Sequence, residues 1–318
     1  MPEIVDDKSQ HCIPFLLDRL RVHTERHRGN PSTPPFFIGL NGVQGAGKTV
    51  LVSALNDTLR SEPYSLSVVT LSLDDIYLDH ADQVALAQSH PSNPLLQHRG
   101  QPSTHDLALG EEVFASLAAE RPTAIPQYDK SAFEGRGDRV PKSQWKVVNE
   151  EGQDKVKVVI FEGWCVGFRA WDDQTLRAKW EAAVRQKEIG KYDGRLGHVK
   201  FEDVKAINDA LKRYDILTDK LDALIHMYRC RNPHFVYEWR QEQERTLRAA
   251  KGTGMTEEQV KHFVDGYYPS YELFTETLRD GAFKPAPHNL SASSSDWQGR
   301  QLCLVVDRNR RVQEVIKI

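Results

Sequence analysis

FFIGLNGVQGAGKTVLVSALNDTLR, Phe36 to Arg60, reads as a buried strand (Phe36 to Gly42), a glycine-rich turn and a helix in immediate succession, with the breaker GNPSTPP (Gly29 to Pro35) just ahead of it. Inside it, GVQGAGKT matches G-x4-G-K-[S/T] at Gly42, Gly47, Lys48 and Thr49, with a further Gly45. The spacing has a chemical reason. Glycines let the backbone wrap a phosphate so that successive N–H groups point inward. The helix that follows adds its positive N-terminal end. A lysine reaches the β- and γ-phosphates, and a hydroxyl faces Mg²⁺. Gly42, Gln44, Gly45, Ala46, Gly47, Lys48, Thr49 and Val50 are therefore assigned to a nucleotide, ATP or a close relative.

Working outward, four more apolar runs read as buried strands: SVVTLSLDDIY (Ser67 to Tyr77), VKVVIFEGW (Val156 to Trp164), LDALIHMY (Leu221 to Tyr228) and QLCLVVD (Gln301 to Asp307). RRVQEVIKI at the C-terminus adds an edge strand. Helical patterns cover residues 11–28, 107–117 and 236–250, most of 170–215, and one or two helices over 256–278. Buried strands alternating with helices predict an α/β fold of the P-loop type, a parallel β-sheet core with helices on both faces and a helical lid. Residues 79–106 read as irregular, 125–139 as a charged loop and Pro285 to Ser295 as a surface loop. Without a repeat or a linker, residues 1–318 are expected to form one domain. It divides into a nucleotide-binding core (36–165) with acceptor loops (99–139), a helical insertion (170–215) and the lid (236–278).

Composition narrows the partners. Hydrophobic residues at 39% and charged ones at 27% describe a globular chain. A formal charge of -3 supplies no basic excess to hold nucleic acid. No apolar run is long enough for a membrane span. The cysteines Cys12, Cys165, Cys230 and Cys303 lie far apart without CxxC spacing, which argues against zinc and disulfides and for a reducing compartment. With no signal peptide visible, a cytoplasmic location is expected. The sequence does not speak to oligomeric state and is compatible with a monomer.

In open α/β sheets ligands sit beyond the carboxyl ends of the strands. Asp74 and Asp75 stand there on the second strand and Glu162 on the third, so all three can converge on a γ-phosphate and its metal. Asp75 is equally well placed to cap the following turn. The DxxG and NKxD elements of GTP switch proteins are absent.

With these residues placed, the chain resembles the P-loop kinase family that contains plant-type D-glycerate 3-kinase and its fungal relatives, akin to uridine kinase, phosphoribulokinase and bacterial pantothenate kinase. GVQGAGKT, SLDDIYL (Ser72 to Leu78), RGQPSTHD (Arg99 to Asp106), PQYDKSAFEGRGDR (Pro126 to Arg139), FEGW (Phe161 to Trp164), EWRQEQE (Glu238 to Glu244) and GMTEEQVKHFVDGYYPSY (Gly254 to Tyr271) carry it in the family's order. The phosphate loop is shared with many unrelated proteins; the later elements together are much more specific. The resemblance implies that Asp74 is the general base, with Lys48 catalytic beside it, and that Thr49, Glu162 and Asp74 surround Mg²⁺. It implies an acceptor pocket of Asp75, Tyr77, Arg99, Thr104, His105, Asp106, Tyr128, Asp129 and Lys130. Ile76 stands where Phe is common, and Gly266 where the family often has Arg.

A carboxylate on the acceptor would call for Arg or Lys, and Arg99, Lys130, Arg136 and Arg139 are the candidates. His105 reads as a positioning residue, not the base, since a neutral ring anchors phosphate poorly. Arg240, in the WRxxxE element, is the lid arginine expected to meet the transferring phosphoryl group. Arg229, Arg231, Arg245 and Arg248 add charge around it. The expected function is ATP-dependent phosphorylation of a small-molecule hydroxyl, with D-glycerate the leading acceptor. A nucleoside- or pantothenate-like acceptor, or an ATP-binding regulatory protein without transfer, stays open.

Overall fold

The computed structural model describes residues 6–30, 32–228, 234–251, 254–285 and 297–318. The strands are β1 (Phe36–Gly42), β2 (Val68–Ser72), β3 (Thr123–Ile125), β4 (Tyr128–Asp129), β5 (Asp138–Arg139), β6 (Lys146–Val148), β7 (Val158–Gly163), β8 (Ala223–Tyr228), β9 (Gln301–Val306) and β10 (Val312–Lys317). The helices are α1 (Ser9–Arg26), α2 (Lys48–Arg60), α3 (His80–Ser89), α4 (Leu107–Ala118), α5 (Asp173–Glu188), α6 (Phe201–Lys212), α7 (Asp215–Thr218), α8 (Phe235–Lys251) and α9 (Glu257–Asp280).

Six strands form one sheet in the order β10-β9-β8-β1-β7-β2. β1 pairs in parallel with β7 and β8, β2 with β7, and β8 with β9; β10 closes the edge antiparallel to β9. All seven residues of β1 are buried, and the sheet is closely packed at Gly39: a Cβ there would lie 2.6 Å from Leu224 Cδ1 and 2.7 Å from Leu221 Cδ1, so both buried leucine tips would have to shift. One face of the sheet (Phe36, Ile38, Leu40, Val158, Ile160, Ile225) packs on Cys12, Phe15 and Leu16 of α1 and on Leu51, Leu55 and Leu59 of α2. The other face (Phe37, Val69, Leu71, Val159, Phe161, Leu224) packs on α4, α6 and α9. Burial on both faces is why the strands read as continuous apolar runs. Each fully buried leucine of α2 contributes roughly 1.5–3 kcal/mol, so this stripe fixes the phosphate-loop helix to the sheet.

The predicted strands and edge strand are found, with ends trimmed by a few residues. Two expectations change. Residues 79–106 contain α3, which carries no apolar stripe; it starts because the Asp79 carboxylate accepts the Asp82 N–H at 2.9 Å. The 125–139 loop contains a ribbon of β4 and β5. Of the one or two helices expected over residues 256–278, there is one, α9, which starts after the Thr256 cap and continues through Pro269. Arg229, Cys230, Arg231 and residues 286–295 of the proposed surface loop lie outside the described residues. Among the described residues, no helix is long and apolar enough to cross a membrane.

Candidate active site

The carboxyl ends of β1, β2 and β7 converge on one side of the sheet. β1 runs into the phosphate loop. Gly45 and Gly47 take left-handed φ values of +77° and +94°, and Gly47 is the N-cap of α2 without a side-chain cap. The amides at the start of α2 are thus left to a ligand rather than to a capping residue. Lys48 Nζ donates to the carbonyl of Gly42 at 2.7 Å. Burial lowers its pKa, and the negative charges of Glu162 and Asp74 oppose that. Thr49 and Val50 are exposed, whereas Ala46 is buried against Trp239 and Val306. Asn41 Nδ2 donates to the carbonyls of Trp164 and Val166 at 3.0 and 2.8 Å, which locks the exit of β7 beside the loop.

β2 ends in a 3-10 turn, Leu73–Ile76, capped at both levels. Ser72 Oγ accepts from the Asp74 amide, and the Asp75 carboxylate accepts from the Ser72 amide at 3.3 Å. Asp75 therefore serves the turn. Burial raises its carboxyl to about 6, and the neighbouring Asp74 charge adds to that. Ser72 Oγ also donates to Glu162 Oε1 at 2.6 Å.

Asp74 faces the acceptor side. Lys130 Nζ stands 2.5 Å from its Oδ2, and the Tyr77 hydroxyl is its second hydrogen-bond donor. Burial alone would raise the Asp74 carboxyl, but Lys130 and these hydrogen bonds outweigh it and hold the group below the ordinary carboxylate range. Tyr77 stacks on His105 (ring centroids 4.5 Å apart) and meets Tyr128 edge-on at 5.3 Å.

His105 is 4% exposed, and burial pushes its pKa down to about 3, so the ring is neutral. Its Nδ1 lies 2.6 Å from the hydroxyl of Tyr214, which follows α6. That oxygen already accepts from the amides of Ser103 and His105. Its proton must then go to Nδ1, which places the ring proton on Nε2. His105 Nε2 and Tyr128 Oη are both buried without a hydrogen-bond partner. The helical insertion thus supplies the hydroxyl that orients His105.

The remaining predicted acceptor residues are engaged elsewhere. Arg99 donates to the carbonyls of Gly135 (2.7 Å), Arg136 and Lys130, bracing the loop after β4 instead of facing an anion. Thr104 closes a turn with Gly100 and Gln101. Asp106 caps α4 and pairs with Arg139 at 3.1 Å, and Arg139 also donates to the Tyr77 carbonyl at 2.8 Å. Asp129 is turned into its own loop, accepting from the amide and hydroxyl of Ser131.

Arg240 is not brought to Lys48 or Asp74. It forms an ion pair at 2.9 Å with the buried Glu244 on its own helix and lies over the Phe263 ring, 5.3 Å from the centroid. Trp239 touches the phosphate loop instead. A Cβ on Gly45 would meet Trp239 Cβ at 2.6 Å, and Trp239 Nε1 donates to the Arg308 carbonyl at 2.8 Å. Arg310 Nε donates to the Gly45 carbonyl at 2.7 Å, and the same guanidinium pairs with Glu242 of α8. From α9, the Tyr267 hydroxyl donates to the Arg99 carbonyl at 3.3 Å, and Tyr271 Oη accepts from the Gln44 amide at 3.5 Å. Sequence reasoning missed Trp239, Tyr267, Tyr271 and Arg310. The aromatic residues at helical spacing were the signal for three of them; nothing local marked Arg310. At Gly266 a Cβ would meet no atom within 4 Å, so the position is open.

No protein-family model matches the chain. It is 37% identical to the uncharacterized kinase mug58 of Schizosaccharomyces pombe over 83% of this chain and 89% of that protein. It is 31% identical to the chloroplastic D-glycerate 3-kinase of Arabidopsis thaliana over 82% of this chain and 52% of that longer protein. The solved D-glycerate 3-kinase of Cryptococcus neoformans superposes with a TM-score of 0.84 at 33% identity, covering 99% of this chain and 100% of the other.

Proposed function

We propose, for a chain that belongs to the D-glycerate 3-kinase family of P-loop kinases, that its acceptor is D-glycerate and that Asp74 is the base of the transfer. The chain is an ATP-dependent kinase of a small molecule. One observation carries the choice of acceptor. A carboxylate and an ammonium group (Asp74 and Lys130) act across the site on Lys48, and the rings that wall their acceptor side, His105 and Tyr128 on either side of Tyr77, each keep a buried polar atom without a hydrogen-bond partner. A short molecule with hydroxyls and one carboxylate matches that set, whereas a nucleoside would ask for amide readers around a base.

The loop amides and Lys48 hold the phosphates of ATP. Thr49 and Glu162 would hold Mg²⁺, which neutralises charge on the phosphate oxygens when bound. Among the described residues no cluster of three metal-binding side chains exists. A hydroxyl plus a carboxylate suits Mg²⁺, which takes few protein ligands and completes its shell with phosphate and water. Asp74 takes the proton of the acceptor hydroxyl as that oxygen attacks the γ-phosphorus in line. His105 Nε2–H orients the acceptor, the Tyr77 and Tyr128 rings wall its side of the site, and Lys130 meets its carboxylate. Residues 1–318 act as one domain, and the buried thiols of Cys12, Cys165 and Cys303 suit a reducing compartment, the cytoplasm.

The test is ADP release by the purified protein with Mg-ATP across D-glycerate, pantothenate, uridine and ribulose phosphate. D-glycerate should stimulate it most. A larger response to any other member of the panel overturns the assignment.

A further inference from the structure

Lys130 belongs to a braced loop. Phe133 (φ +50°), Glu134 (φ +58°) and Gly135 (φ +88°) follow one another in the left-handed region, a strained run for two non-glycine residues. The Arg99 guanidinium holds the carbonyls of Gly135 and Arg136, which fixes the loop against relaxing. What stays free to move is the Lys130 side chain, 58% exposed on a flexible four-carbon stem. Its ammonium rests on the group that the reaction needs.

We propose that Lys130 selects a carboxylate-bearing acceptor by sequestering Asp74 in an ion pair that the acceptor's own carboxylate must take over before Asp74 can accept a proton. The inference rests on the reading of Asp74 as base and of a hydroxy acid as acceptor, and goes beyond it by making the acceptor's charge a condition of catalysis. During transfer the acceptor oxygen bonds to the γ-phosphorus, and the bond from phosphorus to the β,γ-bridging oxygen breaks. ADP leaves with that electron pair, and the hydroxyl proton ends on Asp74. A carboxyl that must finish the step protonated cannot stay paired to an ammonium.

Lys130 therefore has to leave Asp74, and the two classes of acceptor differ in where it can go. D-Glycerate carries its carboxylate one carbon beyond the reacting CH2OH group, within the sweep of the lysine stem, and exchanges one counter-ion for another. Glycerol offers the same CH2OH group and no anion, so the ammonium would be stripped of its partner beside Lys48, whose positive charge already acts across the same site. Water is in the same position as glycerol, so the pairing also restrains ATP hydrolysis while the acceptor site is empty.

Lys130→Gln removes the charge and keeps the length. ADP release should be measured for this variant and the unmodified protein with D-glycerate, with glycerol and with no acceptor. Expected are a fall of about a hundredfold in kcat/KM for D-glycerate, mostly through KM, an equal or higher kcat/KM for glycerol, and several-fold faster hydrolysis without acceptor. Lys130→Arg keeps the charge and should keep the preference for D-glycerate. A parallel fall for both acceptors with unchanged hydrolysis overturns the proposal and leaves Lys130 a loop-positioning residue. If the unmodified protein turns over no hydroxy acid while hydrolysis still rises in Lys130→Gln, the acceptor assignment falls and the sequestering of Asp74 stands.

Discussion

Ser72 donates its hydroxyl to Glu162 at 2.6 Å across the paired ends of β2 and β7, joining the strand that leads into the proposed base, Asp74, to the strand that bears the proposed metal carboxylate. The same oxygen accepts the Asp74 amide. Removing it with Ser72→Ala should cost about 0.5–2 kcal/mol as a lost cap. It should also raise the Mg²⁺ concentration for half-maximal activity by about tenfold, as the loss of a hydrogen bond behind a metal ligand does. A Mg²⁺ titration of ADP release checks this; an unchanged midpoint would remove Glu162 from the metal site.

Asp74→Asn keeps the shape and removes the proposed base. Turnover should fall on the order of 10²–10⁴-fold, with ATP binding preserved. Binding is read by titration with nucleotide and turnover by ADP release; near-normal turnover would take the role from Asp74.

Arg240→Ala separates two readings of the lid. In the structure Arg240 neutralises Glu244, which is 2% exposed. Stranding that carboxylate should cost about 3 kcal/mol, the low end for a broken buried pair because the Met255 amide still donates to it. Arg240→Ala with Glu244→Gln should recover most of the loss in denaturant unfolding. If turnover of the folded single variant instead drops a hundredfold, Arg240 reaches the phosphates when α8 moves.

His23 ties α1 to the sheet, with Nδ1 3.2 Å from Asp222 and Nε2 2.9 Å from the Pro34 carbonyl. Burial would lower its pKa, but the bonds to Asp222 and Pro34 outweigh that and raise it above the ordinary 6.5. A raised histidine stabilises fully below the unfolded value, and the contribution is lost as pH climbs through the folded one. Melting temperature should therefore show an extra decline from about pH 6.5 upward that His23→Gln abolishes. Parallel curves for the two proteins would contradict it.

The sheet was legible because strands buried on both faces leave unbroken apolar runs, and the phosphate loop because its geometry demands glycine. Helix α3 was not, since its start depends on one side-chain bond from Asp79 and its sequence has no apolar stripe. The acceptor side was half legible. The motifs located the right loops, yet a basic residue in a sequence does not reveal what it neutralises. Arg99 and Arg139 spend their guanidinium groups on carbonyls of the chain and on Asp106. The tyrosines of α9 sit in the core cluster, and core and ligand-facing aromatics share the same helical spacing, so the pattern alone did not single them out.

Tyr267 and Tyr271 stand one turn apart on α9, the first against Arg99, the second against the phosphate-loop amide of Gln44. One helix thus touches the phosphate loop and the segment whose Arg99 braces the Lys130 loop. Were nucleotide to shift α9 and so change the affinity for acceptor, thermodynamic reciprocity would require acceptor to change nucleotide affinity by the same factor.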